Sequence, residues 1–328
     1  MSCQETVRPE LSIVVPVYGC EGCLEELSER IRDTARRMGK SHEIILVCDA
    51  SPDHSWDRIC ELAVRDPCIR GLRLTRNFGQ HRAISAGIEH ASGHWIVVMD
   101  CDLQDSPESI EPLYTHALKG HDVVFARRID RRDTFLKRLF SRNFYRVLGY
   151  LTGTRYEADT ANFGIFSARV IAAVNALPER DRFFPLMVRW YGFPTALLPV
   201  AHAARKTGTS SYSFGKLLRL ALEIILSYSD KPLRLVVKAG LAFSVLAFLL
   251  VLFSLYRYLH GEVAVAGYTS IIASIWFLGG MMIFCIGIVG LYVGRMFNEV
   301  KHRPYYAISE RVNMDVHMSP SSTAHPEC

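Results

Sequence analysis

The sequence lacks the glycine-rich loops by which common nucleotide-binding enzymes hold phosphates. No G-x-G-x-x-G follows the first predicted strand, where Gly19 and Gly22 are the nearest glycines, and no G-x-x-x-x-G-K-[ST] occurs. The first absence excludes an NAD-type Rossmann enzyme and the second excludes a P-loop NTPase. Any phosphate in this protein must therefore be held by other groups.

An apolar leader is missing from the first ten residues, MSCQETVRPE, so we expect residues 1–230 to stay in the cytosol. The nine cysteines would then lie in a reducing compartment, where structural disulfides are rare. Cys20 and Cys23 form a C-x-x-C pair, but no thioredoxin-like context or second ligand pair accompanies it. We therefore expect no structural disulfide and treat this spacing as incidental.

Charged residues are absent from two long apolar runs near the C-terminus, 239–256 and 271–294. About 20 helical residues at 1.5 Å each cover a bilayer core of about 30 Å. We predict membrane spans at about 235–258 and 270–295, joined as one hairpin over 233–297.

The basic residues at the ends of these runs predict the orientation of the hairpin. The short loop between the spans, 260–269, contains no lysine or arginine. Basic residues flank the outer ends: Lys231, Arg234, Lys238, Arg295, Lys301 and Arg303. Because such residues stay on the cytoplasmic side, we expect a multi-pass protein of the inner cell membrane with both termini cytoplasmic.

The part of the chain before the hairpin alternates between predicted strands and helices. Short runs rich in Val and Ile predict strands at 11–17, 43–47, 69–74, 95–100 and 123–126. Helical spacing predicts helices at 24–38, 55–65, 80–91 and 107–118. This order favours a doubly wound, mostly parallel α/β sheet in a cytosolic domain over 1–205, with its ligand at the carboxyl ends of the strands.

Acidic residues stand where two of these strands end. Asp100 and Asp102 follow the fourth strand, and such a pair can bind a hard divalent cation while leaving positions open for diphosphate oxygens. Asp49 follows the second strand in a Pro-containing turn, where it could accept hydrogen bonds from a ribose or a base. The sequence therefore predicts a nucleotide site at this edge.

Taken in order, these motifs resemble those of family 2 glycosyltransferases with the GT-A fold. The motifs are PVY followed by Glu21, VCDASPDHS, RNFGQHRAI, MDCDLQDSPE and a later R-x-x-G-x-S-x-Y. The sequence is most similar to membrane-anchored polyprenyl-phosphate sugar transferases related to dolichyl-phosphate mannose synthase. The resemblance runs from about residue 11 to 298 and includes the hairpin.

The resemblance implies a set of site residues. Nucleotide-sugar contacts would come from Pro16, Tyr18, Glu21, Asp49, Asp100 and Cys101. A Mg²⁺ or Mn²⁺ cofactor would be bound by Asp100, Asp102 and Gln104. Phosphates of the donor or of a lipid would meet Arg128, Arg205, Ser210 and Ser211.

Asp159 and Asp102 are the candidate catalytic residues of an inverting transferase. Asp159 would be the base if the acceptor were a hydroxyl. A phosphate monoester has a second pKa of about 6 and is already largely dianionic at pH 7. With a lipid phosphate as acceptor, Asp159 would therefore only orient it or balance charge.

Two further segments indicate a membrane surface. Residues 127–146 contain eight basic and two acidic residues among aromatic and leucine side chains, and 206–232 form a second amphipathic segment. Basic amphipathic helices bind anionic lipid, so we expect membrane lipids as partners and no nucleic acid. In the tail, 298–328, the polar residues after Tyr306 predict disorder.

These features predict transfer of a sugar, glucose first, from a nucleotide sugar to undecaprenyl phosphate at the cytoplasmic face. A UDP-sugar is favoured over a GDP-sugar. Direct transfer to a lipid-linked glycan and a non-catalytic nucleotide-sugar-binding scaffold are the alternatives. A homo-oligomer is left open.

Overall fold

A computed structural model of the chain describes six stretches of sequence in two compact units. The first unit contains residues 8–128, 160–180, 182–200 and 303–314. The second unit contains residues 231–260 and 267–301.

The strands of the first unit form one eight-stranded sheet in the order β7-β5-β6-β4-β1-β2-β3-β8. They are β1 (Leu11–Val17), β2 (His42–Cys48), β3 (Ile69–Leu74), β4 (Trp95–Val98), β5 (Val123–Arg128), β6 (Thr160–Ser167), β7 (Thr195–Val200) and β8 (Ile308–Val312). β1 and β3 have the predicted bounds, whereas β4 ends two residues before Asp100.

The centre of the sheet is parallel, as predicted. β1 pairs in parallel with both β2 and β4, and β2 with β3. Three antiparallel pairings, of β4 and β5 with β6 and of β3 with β8, make the whole sheet mixed. The two central parallel strands, β1 and β2, are mostly apolar and buried because both of their faces are covered.

Helices cover the two faces of this sheet. In the first unit they are α1 (Leu24–Arg37), α2 (Ser55–Arg65), α3 (Gln80–Glu89), α4 (Ile110–Ala117), α5 (Ala168–Ala176) and α6 (Phe184–Trp190). α1, α2 and α4 pack on one face with Ile13 and Val15 of β1, and α3, α5 and α6 pack on the other with Val14. Successive residues of β1 thus enter opposite cores, as the strand period of two requires.

The residues after the hairpin return to the first unit as an edge strand. β8 pairs antiparallel with β3, and Val312 lies opposite Gly71. The expectation of disorder after Tyr306 is therefore wrong for residues 308–312. The physical reason is that β3 would otherwise present unpaired backbone N–H and C=O groups at the edge, and β8 satisfies them with few apolar residues of its own.

Side-chain contacts also hold β8 in place. Glu310 accepts hydrogen bonds from Arg73 Nη1 at 2.5 Å and from Trp56 Nε1 at 2.9 Å. Asn313 donates from Nδ2 to the backbone carbonyl of Ala63 at 2.6 Å. These contacts join β8 to both β3 and α2, so residues 308–313 are part of the fold of the first unit.

The second unit contains two long helices, α7 (Lys231–Leu259) and α8 (Tyr268–Val300). Phe243 and Phe277 pack edge to face between them, with ring centroids 5.7 Å apart. Among the residues that the structure describes, one stretch, Phe277–Val300, is long and apolar enough to cross a membrane. This stretch overlaps the second predicted span, and the first span stays a prediction.

Candidate active site

Three loops leave the same edge of the sheet. β1 lies between β4 and β2 and runs parallel to both, so the carboxyl ends of the three strands meet there. In open α/β sheets this edge is where ligands bind. The loops are residues 18–23 (the first loop), 49–54 (the second loop) and 99–106 (the acidic loop).

Hydrogen bonds join the first loop to the second. The backbone N–H of Gly19 donates to Ser51 Oγ at 2.8 Å, and that of Glu21 donates to Asp53 Oδ2 at 3.2 Å. In return, the N–H of His54 donates to Glu21 Oε2 at 3.2 Å. The two loops therefore form one hydrogen-bonded surface, and the Glu21 carboxylate predicted to contact the nucleotide is part of it.

Asp53 is the charged centre of this surface. Burial alone would raise the pKa of its carboxyl, but hydrogen bonds from Ser51, Ser55 and the N–H of Glu21 outweigh burial and lower that pKa.

Gly19 is in the left-handed region, at φ 68°, where a residue with a Cβ is disfavoured. The turn geometry explains why glycine stands there.

Asp49 is buried and bonded to the chain just before α3. Its Oδ1 accepts from the N–H of Phe78 at 2.7 Å and its Oδ2 from the N–H of Gly79 at 2.8 Å. Burial raises the pKa of this carboxyl, and the two N–H groups partly offset the rise. Asp49 thus fixes the start of α3 beside the site, and its predicted contact with the nucleotide stays a prediction.

The acidic loop presents two half-buried carboxylates. Asp100 Oδ1 accepts a hydrogen bond from Gln80 Nε2 at 2.6 Å, and Asp102 Oδ1 accepts one from the N–H of Gln104 at 3.2 Å. Leu103, between Asp102 and Gln104, has φ 60°, which turns the loop sharply. Gln80 is a site residue that sequence reasoning missed, although it lies in the quoted motif RNFGQHRAI.

The oxygen ligands of this loop fit a divalent cation shared with a substrate. No three His, Cys, Asp or Glu side chains within the described stretches cluster closely enough to hold a metal by themselves. Mg²⁺ in nucleotide enzymes is commonly bound by one or two carboxylates together with substrate phosphates and water. Asp100 and Asp102, with the amide of Gln104, provide a donor set of that type.

A disulfide joins the first loop to the acidic loop. Cys20 and Cys101 are bonded, with their Cα atoms 6.2 Å apart and a separation of 81 positions in sequence. The expectation of no disulfide is therefore wrong, because the parallel pairing of β1 and β4 brings the two following loops together. The sulfur of Cys101 is bonded to Cys20, and the predicted contact of Cys101 with the nucleotide sugar stays a prediction.

The remaining predicted residues divide between described and undescribed parts of the chain. Pro16 is buried in β1, and Tyr18 in the first loop is 53% exposed, as a ligand-facing ring would be. Arg128 ends β5, but its side chain is not described. The others lie outside the described residues: Asp159, Arg205, Ser210 and Ser211.

Comparison with known proteins identifies the family. Residues 12–173 match Glycosyl transferase family 2, and residues 231–296 match the GtrB C-terminal hairpin. The bactoprenol glucosyl transferase of Shigella phage SfV is 36% identical over 300 residues, which is 91% of this chain and 98% of that protein. The chain belongs to glycosyltransferase family 2. As a family 2 glycosyltransferase it is an enzyme, and its mixed α/β sheet is the predicted GT-A fold.

Other relatives of this family 2 glycosyltransferase match over similar lengths. The undecaprenyl-phosphate 4-deoxy-4-formamido-L-arabinose transferase of Proteus mirabilis is 33% identical over 93% of this chain and 94% of that protein. An uncharacterized glycosyltransferase of Synechocystis is 34% identical over 92% and 95%. These alignments thus include most of the first unit together with the residues of the hairpin.

Among solved structures, glucosyl-3-phosphoglycerate synthase from Mycobacterium tuberculosis is similar at a TM-score of 0.49 and 14% identity. The similarity covers 67% of this chain and 78% of that one. That crystal structure contains Mn²⁺, UDP-glucose and phosphoglyceric acid.

Proposed function

We propose that this glycosyltransferase moves glucose from UDP-glucose to undecaprenyl phosphate at the cytoplasmic face of the membrane. The observation that carries the proposal is the meeting of the first, second and acidic loops at one sheet edge. This edge belongs to a chain that aligns over 91% of its length with a bactoprenol glucosyl transferase. The undecaprenyl-phosphate sugar transferase among the relatives supports the same class of acceptor.

Mg²⁺ or Mn²⁺ would be held by Asp100, Asp102 and Gln104, where it would offset the charge of the departing diphosphate. Gln80 fixes the orientation of Asp100 through its 2.6 Å hydrogen bond. The joined first and second loops would bind the nucleoside, with Tyr18 exposed for contact with its base or ribose.

The acceptor phosphate would approach from the start of β6. β6 runs antiparallel to β4, and Gly164 pairs with Val98 at the end of β4. Thr160, four residues earlier, therefore begins β6 at the edge where the acidic loop leaves β4. This register supports a role near the acceptor for the preceding residue, Asp159. Because a lipid phosphate is already largely dianionic at pH 7, we assign Asp159 to orienting it.

Arg128, Arg205, Ser210 and Ser211 complete the proposed phosphate contacts. A guanidinium can form two parallel hydrogen bonds with a phosphate, which suits both arginines to this role. The end of β5 at Arg128 supports its assignment, because β5 runs in the same direction as β4 and ends at the same edge of the sheet.

The connectivity of the sheet supports a hairpin with both ends on one side of the membrane. β7 precedes the hairpin in sequence and β8 follows it, yet both strands belong to one sheet. The chain between them must therefore cross a membrane an even number of times. Two long helices with basic outer ends meet this condition, and the positive-inside rule favours the cytoplasmic side.

The test is transfer by the purified full-length protein with UDP- and GDP-sugars, undecaprenyl phosphate and Mn²⁺. We expect UDP release with UDP-glucose that depends on the lipid phosphate. Asp102→Asn should reduce the rate about 100-fold or more, because it removes a charge that binds the metal. Glu111→Gln, an exposed carboxylate on α4, is the matched control and should keep full activity.

Transfer to a preassembled lipid-linked glycan but not to undecaprenyl phosphate would contradict the proposed acceptor. Full activity of Asp102→Asn would contradict the metal site. Binding of a nucleotide sugar without transfer to any acceptor would contradict catalysis.

A further inference from the structure

The Cys20–Cys101 disulfide lies within the candidate site. Cys101 stands between Asp100 and Asp102, the two carboxylates of the acidic loop, and Cys20 stands in the first loop. Both side chains are less than a tenth exposed. The bond therefore connects the proposed metal ligands to the proposed nucleoside-binding surface.

The hydrogen bonds around this bond show what it holds together. On one side, Gly19 and Glu21 join the first loop to the second. On the other side, Gln80 joins Asp100 to the start of α3. The disulfide is a covalent link between the first loop and the acidic loop. Asp49 of the second loop also accepts hydrogen bonds from the chain before α3, so loss of the disulfide would keep that link but let the first loop move against the acidic loop.

In a reducing compartment this disulfide can be reduced to two thiols. That the first unit lies in such a compartment, the cytoplasm, rests on the proposed function. Disulfides in reducing compartments are usually transient and either catalytic or redox-sensing. A cysteine pair at the edge of the site would therefore alternate between the disulfide and two thiols as the surrounding thiol pool changes.

We propose that Cys20 and Cys101 are a reversible thiol–disulfide modification site that sets the affinity of this enzyme for a nucleoside diphosphate. A small dithiol reductant supplies the electrons. One of its thiolates attacks a sulfur of the bond, forms a mixed disulfide and releases the other cysteine as a thiolate. Its second thiol then displaces the remaining cysteine, so the dithiol leaves as a cyclic disulfide and the protein gains two protonated thiols. A small-molecule disulfide reverses both exchanges.

The oxidised protein should bind the nucleotide more tightly. With the bond intact, the first loop and the acidic loop are already held together before the ligand arrives. After reduction, binding must also order the first loop against the acidic loop, and ordering a few side chains costs affinity. We expect UDP with Mn²⁺ to bind about tenfold more weakly to the reduced protein.

Coupling between two sites is reciprocal, which supplies a measurement independent of activity. If oxidation tightens UDP binding about tenfold, saturating UDP with Mn²⁺ must shift the thiol–disulfide equilibrium of Cys20 and Cys101 by the same factor toward the disulfide. The shift is measured by equilibrating the protein in buffers of fixed dithiol-to-disulfide ratio, alkylating the thiols and counting the labels by mass spectrometry.

The experiment uses the full-length protein in detergent, oxidised or reduced, with UDP and Mn²⁺ as the probe in calorimetry. Cys20→Ser and Cys101→Ser should show the weaker affinity under both conditions. Cys60→Ser, which removes a half-buried thiol of α2 away from the loops, should keep the difference between the oxidised and reduced states. Recovery of the tighter affinity when the reduced wild type is reoxidised would exclude damage during reduction.

Equal UDP affinity of the oxidised and reduced protein would overturn this proposal while leaving the proposed function intact. Alkylation of both cysteines after treatment with a small-molecule disulfide would also overturn it, because the bond would not have formed. Failure of UDP to bind in either state would contradict both this proposal and the proposed UDP-sugar donor.

Discussion

Gly71 of β3 has no room for a side chain because β8 and α2 cover it. A Cβ at this position would lie 2.5 Å from Val312 Cγ1 and 2.7 Å from Ile59 Cγ2. Both distances are shorter than real Cβ contacts, so Gly71→Ala must displace its neighbours. Overpacking of this kind costs about 1 to 3 kcal/mol. For a unit of this size, we expect the melting temperature to fall by about 2 to 12 °C.

A double-mutant cycle separates the contribution of β8 from that of α2. Val312→Ala removes one of the two clashing side chains and itself costs packing. If β8 lies against Gly71, the double variant should be less destabilised than the sum of the two single variants, by about 0.5 kcal/mol or more. Gly22→Ala is the control, because a Cβ there meets nothing within 4 Å.

The assay is thermal unfolding of the full-length protein, followed by hydrogen exchange of residues 308–312. Gly71→Ala should speed exchange in this segment, and adding Val312→Ala should slow it again. Additivity of the two substitutions, together with unchanged exchange of residues 308–312 in Gly71→Ala, would refute the docking of β8 on β3.

Three other predictions concern the site, the response to acid and the topology. Asp49→Ala should lower the free energy of unfolding by about 1 to 3 kcal/mol, because it leaves the part-buried N–H groups of Phe78 and Gly79 without their acceptor. The measurement is thermal unfolding with hydrogen exchange of residues 75–82. The His81 ring packs at a tilt against Phe183, and burial lowers the pKa of His81 from 6.5 to about 4. Because the unfolded chain takes up this proton at a higher pH than the folded chain, stability should be lost as the pH falls from about 6.5 to about 4, and unfolding scans should show a smaller loss in His81→Phe. Glu262→Cys, between the two helices, should react with an impermeant thiol reagent on intact cells, whereas the wild type should not; labelling only after lysis would contradict the hairpin topology.

Local sequence patterns were sufficient for elements whose apolar residues form a short run or recur at helical spacing. β1 and β3 have their predicted bounds, as does α2, because these patterns report which residues are buried. β8 was missed because its sequence, ISERV, has few apolar residues and its partner β3 lies more than 200 residues away. No local pattern encodes such a pairing.

β6 was missed for a different reason, since it contains Asn162 and Gly164. Gly164 is required by a close approach, because a Cβ there would lie 2.8 Å from the backbone oxygen of Val124 in β5. A glycine in a strand lowers strand propensity, and only the neighbouring strand shows why it is there.

In the candidate site, too, local patterns identified single residues but not the contacts between residues that are distant in sequence. Turn chemistry at the strand ends was enough to single out Asp49, Asp100 and Asp102. The Gln80–Asp100 hydrogen bond and the Cys20–Cys101 disulfide join loops that are distant in sequence, so they follow from the parallel order of the strands. The C-x-x-C spacing pairs Cys20 with Cys23 in the sequence, whereas the disulfide partner of Cys20 is Cys101, in the loop after β4.

The central claim is tested most directly by the mass of the lipid product. Purified full-length protein is incubated with UDP-glucose, undecaprenyl phosphate and Mn²⁺. The lipid is then extracted and its molecular mass is measured by mass spectrometry. We expect undecaprenyl phosphate carrying one added hexose, formed by the wild type and not by Asp102→Asn. An unmodified lipid, with UDP-glucose bound or hydrolysed, would contradict it.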